Sequence, residues 1–283
     1  MHGDSIHFLG RRSELHKGLC MKQDLHALLL DVDGTLADTE EIHRQAFNAA
    51  FAEAGLDWEW NPDLYHDLLA VTGGKERIRY YLDNWRSDVE LPPDAEAFIA
   101  QLHARKTRFY VDSLATGMVP LRPGVERLIR DARNSGLRLA IVTTTTPDNV
   151  RALLQHSFTA DASDWFDVIA AGSVVPSKKP APDIYHYALE QMGLEPGQCL
   201  AVEDSYNGLL SAQAAGVGAI ITVNRYTEQQ DFHGALLVLN HLGEPGMPCR
   251  VIEGSLRPDA MVDADFLRRL HAYSPATHGQ SPA

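Results

Sequence analysis

An unbroken apolar run, Ala27-Leu28-Leu29-Leu30, leads directly into Asp31-Val32-Asp33-Gly34-Thr35. A run without alternation marks a strand buried on both faces, and such strands belong to parallel sheets covered by helices. Residues i and i+2 of a strand point the same way. Asp31 and Asp33 are therefore expected to project together from the carboxyl end of this strand. Two carboxylates so close repel unless a cation or a shared proton offsets them. A hard divalent ion with oxygen ligands is the simplest offset, and Gly34 lets the chain bend just beyond the pair. A bare Asp-x-Asp reads first as a strand closing in an Asx turn, so the chemical reading rests on motifs further along the chain.

Short apolar runs recur at 137–142, 168–171, 200–202 and 219–223. Helical patterns separate most of them. Val125, Leu128, Ile129 and Ala132 form one apolar stripe, and others run over 184–192 to Gly193 and over 205–215 to Gly216. A glycine just past a helix ends it by taking the left-handed conformation without steric cost. Strands alternating with helices predict an α/β fold with a doubly wound parallel sheet.

The long stretch between the first and second strands carries only helical patterns. Ile42, Ala46, Phe47, Ala50 and Phe51 define an amphipathic helix over 39–54, and further helices are expected at 62–71, 75–85 and 94–114. The expected organisation is a poorly ordered extension over 1–20, an α/β core over 21–37 and 118–243, an α-helical cap over 38–117 inserted into that core, and a tail over 244–283 with one amphipathic piece at 263–270. Ligands of open α/β sheets bind beyond the carboxyl ends of the strands, so the cap is expected to cover Asp31 and Asp33. Trp58 and Trp60 are assigned to the cap's own core.

The 283 residues carry a net charge of −13. That argues against nucleic acid or an anionic membrane as a partner, but not against a small phosphorylated substrate held by local Lys and Arg. Cys20, Cys199 and Cys249 form no Cys-x-x-Cys pair, and no His-Glu-x-x-His occurs. Zinc and a disulfide framework are therefore not expected, and a cytoplasmic location is. No apolar run approaches the ~20 residues of a membrane helix. A monomer is expected, with an oligomer left open.

Three further motifs carry chemistry. The run 137–142 enters Thr143-Thr144-Thr145-Thr146-Pro147, where hydroxyls and free N–H groups suit either a phosphate or a turn capping the next helix. Its place at the end of the first strand after the cap favours phosphate, with Thr143 foremost. Lys178-Lys179-Pro180 places two lysines in a proline-flanked loop, and a lysine is a compact charge for phosphoryl oxygens. Lys179 is expected to be the fixed one and Lys178 the exposed one. Glu203-Asp204 follows the run 200–202, where an Asp is ordinarily an N-cap. Brought near Asp31 and Asp33, Asp204 would instead complete an oxygen-rich metal site.

In this order, Asp31-Val32-Asp33-Gly34-Thr35, Thr143, Lys179-Pro180 and Glu203-Asp204 resemble the motifs of the haloacid dehalogenase (HAD) superfamily of phosphatases and phosphomutases. The resemblance spans 27 to about 223 and includes the inserted helices. It implies a HAD-like core in which Asp31 is the nucleophile and Asp33 the general acid/base. Thr143 and Lys179 would hold the transferring phosphoryl group. Mg²⁺ would be bound by Asp31, the backbone carbonyl of Asp33 and Asp204, with Glu203 a further contributor.

The substrate clue lies in the cap. Thr72-Gly73-Gly74-Lys75-Glu76-Arg77 stands where a helix begins. Its glycines permit close backbone approach, helix N-termini favour anions, and Lys75 and Arg77 add positive charge. An ordinary helix–helix turn is the alternative. Glu40 and His43 share a helix face and are candidates for sugar hydroxyls, with solvated helix charges the alternative. These segments look similar to the CbbY-like family, which includes phosphatases of xylulose 1,5-bisphosphate, an inhibitory by-product of Rubisco. That resemblance implies substrate contacts at Asp31, Asp33, Glu40, Gly73, Gly74, Lys75, Arg77, Thr143, Thr144, Thr145 and Thr146, to which His43, Glu76 and Lys179 are added. The expected activity is Mg²⁺-dependent hydrolysis of xylulose 1,5-bisphosphate to xylulose 5-phosphate, within Calvin-cycle carbohydrate metabolism. A β-phosphoglucomutase-like mutase shares the same aspartyl-phosphate and stays open. A silent phosphosugar binder fits poorly with an intact set of Asp31, Asp33, Thr143, Lys179 and Asp204. Asp31→Asn is expected to remove turnover in a phosphate-release assay while circular dichroism stays native; near-normal cleavage would overturn the nucleophile assignment.

Overall fold

The computed structural model describes residues 23–116, 119–159 and 161–273. The extension over 1–20 and the expected cap–core boundary at 117–118 lie outside the described residues.

The first strand, β1 (Ala27–Leu30), is buried along its whole length. Four helices of the insert follow it: α1 (Glu40–Glu53), α2 (Pro62–Leu68), α3 (Gly74–Trp85) and α4 (Ala95–Thr116). Helix α5 (Val125–Asn134) leads to β2 (Arg138–Thr143), α6 (Pro147–Ser157), β3 (Val168–Ala171), α7 (Asp183–Met192), β4 (Cys199–Glu203), α8 (Tyr206–Ala214) and β5 (Gly218–Thr222). The chain continues through β6 (Leu237–Leu239), β7 (Val251–Glu253) and α9 (Ala264–Tyr273). The sheet order is β3-β2-β1-β4-β5-β6-β7. All pairings are parallel except β6 with β7. This is the expected doubly wound α/β fold.

Alternation along the strands divides the core into two layers. Leu28, Leu30, Leu139, Ile141 and Val202 face α5, α6 and α9. Ala27, Leu29, Ala140, Val142 and Ala201 face α7 and α8. Helices α1–α4 have a separate core in which Phe47, Phe51, Trp58, Trp60 and Tyr81 pack ring against ring. Trp58 and Trp60 lie there as expected.

Strands β6 and β7 were not expected. Each has only three residues, too short for a periodic signal, and β7 is largely exposed. The piece at 263–270 forms α9, whose Phe266, Leu267 and Leu270 join the first core layer. The Ala264 N–H donates to the Asp131 carboxylate at 2.7 Å, and Arg127 donates to the carbonyls of Gly243 and Val262. Among the described residues, no helix is long and apolar enough to cross a membrane.

Strand order reverses at β1, with β2 on one side and β4 on the other, which is where a doubly wound sheet opens a crevice. Both ends of the helical insert return there. Ala37 bridges Leu121, and the Arg122 N–H donates to the Leu36 carbonyl at 2.9 Å. The buried Arg122 guanidinium then donates to the carbonyls of Gly34, Thr222 (2.8 Å), Val223 (2.5 Å) and Asn240 (2.9 Å). It also pairs with Asp38 at 3.2 Å. One side chain thus joins the loop after β1, the entry to the insert and the ends of β5 and β6. Arg122→Met leaves these carbonyls without their donor, and unpaired buried groups cost about 1–3 kcal/mol each. A loss of about 3 kcal/mol or more is expected in chemical denaturation; a change below about 1 kcal/mol would show that Arg122 is not the tie.

Candidate active site

Strand register assembles the site. Leu30 is level with Ile141 on β2 and Val202 on β4. The next residues, Asp31, Val142 and Glu203, therefore leave the sheet side by side, with Thr143 and Asp204 one step further. Lys179, from the loop before α7, is buried between them. Its Nζ donates to Asp31 Oδ1 (2.7 Å), Glu203 Oε1 (2.6 Å) and the Val142 carbonyl (2.9 Å). All three ammonium protons are thereby used. The Tyr185 hydroxyl also donates to Glu203 Oε1, at 2.5 Å.

One ammonium faces three carboxylates. Oxygens of Asp31, Glu203 and Asp204 lie within 4.8 Å of one another. Burial, joined by the charges of Glu203 and Asp33, pushes Asp31 up to about 7 despite the opposing pull of Lys179. Burial and then Asp31 and Glu203 drive Asp204 well above the usual carboxylate range. Burial works against the Lys179 charge, but Asp31 and Glu203 outweigh it and raise its proton affinity. A cluster of hard oxygen donors with too little positive charge fits a divalent cation. Gly34 keeps the place open. It has φ of 78°, and a side chain there would collide with the Asp204 carboxylate and the Asn224 amide.

Asp33 is set apart from its neighbour. β1 ends at Leu30, so the spacing of an extended strand does not govern the pair. Asp33 Oδ1 accepts from the Thr39 hydroxyl (2.7 Å) and from His43 Nε2 (2.9 Å). Burial opposes its charge, but His43 and Thr39 prevail and hold the carboxyl well below its usual range. His43 Nδ1 lies 2.7 Å from Lys106 Nζ, and its ring stacks on Tyr110 at 4.1 Å. With Lys106 donating to Nδ1, the ring carries its proton on Nε2 and gives it to Asp33. Burial pulls Lys106 down to about 8, against the charge of Asp33.

Asp31, Asp33, Glu40, His43, Gly73, Gly74, Lys75, Glu76, Arg77, Thr143, Thr144, Thr145, Thr146, Lys179 and Asp204 all line one cavity of about 700 Å³. Helices α1, α3 and α4 form one wall and the strand ends form the other. Gly74 is required by close packing, because a side chain there would collide with His103.

Several residues are used differently from expectation. Glu203 is absent from the cavity wall. Its Oε1 accepts from Lys179 and Tyr185, but its buried Oε2 has no hydrogen-bond partner among the described residues, and Glu203 keeps its expected place in the carboxylate cluster that could hold a cation. The Asp33 carboxylate is not one of the three clustered carboxylates and is held by Thr39 and His43 instead. His43 has both ring nitrogens engaged, so it holds Asp33 and has none left for a sugar hydroxyl. Lys178 is half-buried, not exposed; it lines the cavity, and its Nζ donates to the Gly172 carbonyl. The Arg77 guanidinium reaches the Tyr65 hydroxyl (2.9 Å) and the Val71 carbonyl (3.3 Å) as well as the cavity.

Several residues on or behind the cavity wall were not foreseen, Asn207 and Tyr226 among them. Lys106 and His103 on α4 line it, as does Asn149 at the start of α6, whose Nδ2 donates to Thr145 Oγ1 at 2.9 Å. The fully buried Tyr65 donates to Glu40 at 2.7 Å and so ties Glu40 to Arg77. One signal was available: Ile99, Leu102, Lys106 and Tyr110 follow helical spacing, so Lys106 interrupts an apolar stripe. Burial, with Lys106 and Lys75 nearby, holds His103 down to about 3.

The family model for haloacid dehalogenase-like hydrolases matches residues 25–216. The chain belongs to this family. Protein CbbY, plasmid, of Cupriavidus necator is 52% identical over 79% of this chain and 88% of its own length. Protein CbbY of Rhodobacter capsulatus is 54% identical over 75% of this chain and 91% of its own. A mutant CbbY from Rhodobacter sphaeroides, solved in complex with xylulose 1,5-bisphosphate, superposes with a TM-score of 0.73 at 45% identity, covering 77% of this chain and 94% of that one. The chain is thus a CbbY-like member of the family. A β-phosphoglucomutase from Clostridium difficile, at 18% identity and a TM-score of 0.67, shares the fold.

A cation entering the carboxylate cluster competes with the proton on Asp31. Affinity is expected to fall at least tenfold per pH unit below about 7, because Asp204 also holds its proton well above the usual carboxylate range, in calorimetric titration with Mg²⁺. Affinity independent of pH between 5 and 7 would remove Asp31 from the ligand set.

Proposed function

We propose that the chain is a Mg²⁺-dependent sugar-bisphosphate phosphatase whose foremost substrate is xylulose 1,5-bisphosphate, cleaved to xylulose 5-phosphate. One observation carries the reading: a single cavity has an anion-accepting end on each wall. On the core side are Lys179, Thr143 and the N-terminus of α6. On the insert side are the N-terminus of α3, with Gly73 and Gly74, and the cations Lys75 and Arg77. A sugar carrying a phosphate at each end matches two such ends. The likeness to a CbbY solved with xylulose 1,5-bisphosphate supports the same substrate.

In this reading Asp31 attacks the phosphorus and forms an aspartyl-phosphate as the bond from phosphorus to the sugar oxygen breaks. Asp33 gives that oxygen its proton, then takes one from the water that attacks the aspartyl-phosphate and releases inorganic phosphate. Without substrate, Asp33 is held as an anion by His43 and Thr39. An arriving phosphoryl group adds negative charge beside it and raises its proton affinity, as acid catalysis requires. Thr143 holds the phosphoryl oxygens beside the positive charge of Lys179, whose own three protons are taken by Asp31, Glu203 and Val142, while the insert excludes bulk water and binds the far phosphate. Asp31, Asp204 and the Asp33 carbonyl would hold Mg²⁺, which when bound neutralises charge on the phosphoryl oxygens.

Phosphate release from xylulose 1,5-bisphosphate, beside ribulose 1,5-bisphosphate and β-glucose 1-phosphate, tests the reading. Selective release from the xylulose compound is expected. Conversion of β-glucose 1-phosphate to glucose 6-phosphate, without release from either bisphosphate, would make the chain a mutase instead. Lys75→Ala is expected to weaken bisphosphates roughly tenfold and monophosphates much less; equal effects on both would remove the second phosphate site.

A further inference from the structure

Besides the packing of α4 on α6, the α/β core holds the helical insert through two residues, Asn207 and Tyr226, that also line the cavity. The first is Asn207, in the first turn of α8 and three residues beyond Asp204. Its Nδ2 donates to the Ala70 carbonyl at 3.1 Å and to Thr72 Oγ1 at 3.0 Å. These acceptors stand directly before Gly73 and Gly74, so the bonds fix the loop that opens α3.

The second point is Tyr226, between β5 and β6. Its ring belongs to the aromatic core of the insert, although its backbone belongs to the α/β core. It lies edge-on to Tyr65 at 6.2 Å and stacks on His66 at 6.3 Å. Its hydroxyl donates to Glu41 on α1 at 3.3 Å. The Tyr226 N–H donates to Asn224 Oδ1 at 2.8 Å, and Asn224 Nδ2 donates to Asp204 Oδ2 at 2.7 Å. Each grip therefore starts beside Asp204 and ends on the wall that faces it.

We propose that Asn207 and Tyr226 form a two-point clasp that sets the distance from Asp31 to the Gly73 and Gly74 loop, and that they are positioning residues for selectivity. The substrate part rests on the function proposed above. A substrate that spans both walls depends on their separation, because its far phosphate adds binding only when the near one is in line with Asp31. A small aryl phosphate occupies one wall and is indifferent to the clasp. Asn207 acts through hydrogen bonds that only its side-chain amide supplies, while Tyr226 acts mainly through its ring.

The test uses Asn207→Ala, Tyr226→Ala and Tyr226→Phe, with two readouts. Amide hydrogen exchange over 70–78 in the ligand-free protein is expected to quicken roughly tenfold in Asn207→Ala and Tyr226→Ala, with the sheet unchanged. The KM for xylulose 1,5-bisphosphate is expected to rise roughly tenfold in the same two variants. In both, kcat/KM for p-nitrophenyl phosphate stays within about twofold. Tyr226→Phe keeps the ring and is expected to behave as the parent in both readouts. Unchanged exchange over 70–78, or equal losses on both substrates, would overturn the clasp. If the parent protein leaves the bisphosphate intact, the proposed substrate falls, and the exchange measurement alone then decides the clasp.

Discussion

The buried ammonium of Lys179 is the interaction on which the site depends. It is shared between Asp31 at the end of β1 and Glu203 at the end of β4, and it also caps the carbonyl of Val142 on β2. Three neighbouring strands are thus pinned at one level by one charge. Removing the ammonium would leave the carboxylates buried without their partner, a loss of several kcal/mol in comparable pairs. The arrangement still leaves a deficit, because Asp204 joins the same cluster and no second ammonium accompanies it. That shortage suits the cluster to a cation, and with burial it explains why Asp31 and Asp204 hold protons so strongly when no cation offsets them.

Two aspartates separated by one residue serve opposite purposes because their surroundings differ. Asp31 lies among carboxylates and is pushed up to about 7. Asp33 is held by Thr39 and His43 and stays far below it. A bound cation would displace the proton from Asp31, and an arriving phosphoryl charge would raise Asp33, so the two carboxyls would exchange these protonation preferences only when the site is loaded. The division is built across the two parts of the molecule. Lys179 comes from the α/β core, whereas His43 and Lys106 come from α1 and α4. Asp33 therefore has its partners only when the insert lies over the sheet.

The insert leaves and rejoins the core through adjacent segments that bridge at Ala37 and Leu121, tied by Arg122. Its own aromatic core gives it internal rigidity. The strand ends and the α3 loop thus form facing walls of one cavity, and in the proposed reading their spacing, set in part by Asn207 and Tyr226, bears on selectivity.

Much was legible in the sequence by itself. Buried strands such as Ala27–Leu30 and stripes such as Val125, Leu128, Ile129 and Ala132 are local patterns, and they determined the α/β alternation and the helical insertion. Asp31, Thr143, Lys179 and Asp204 each follow or flank a strand, so their convergence followed once a parallel sheet was inferred. Only the tertiary structure decided which partner each side chain takes. Lys178 turned inward, His43 was drawn to Asp33 by Lys106, and Tyr65 joined Glu40 to Arg77. The three-residue strands β6 and β7 exist only because neighbouring strands offer them hydrogen bonds. Periodicity reports which face of an element is apolar, whereas hydrogen bonds and charge pairs depend on residues distant in the chain, and folding alone brings those together.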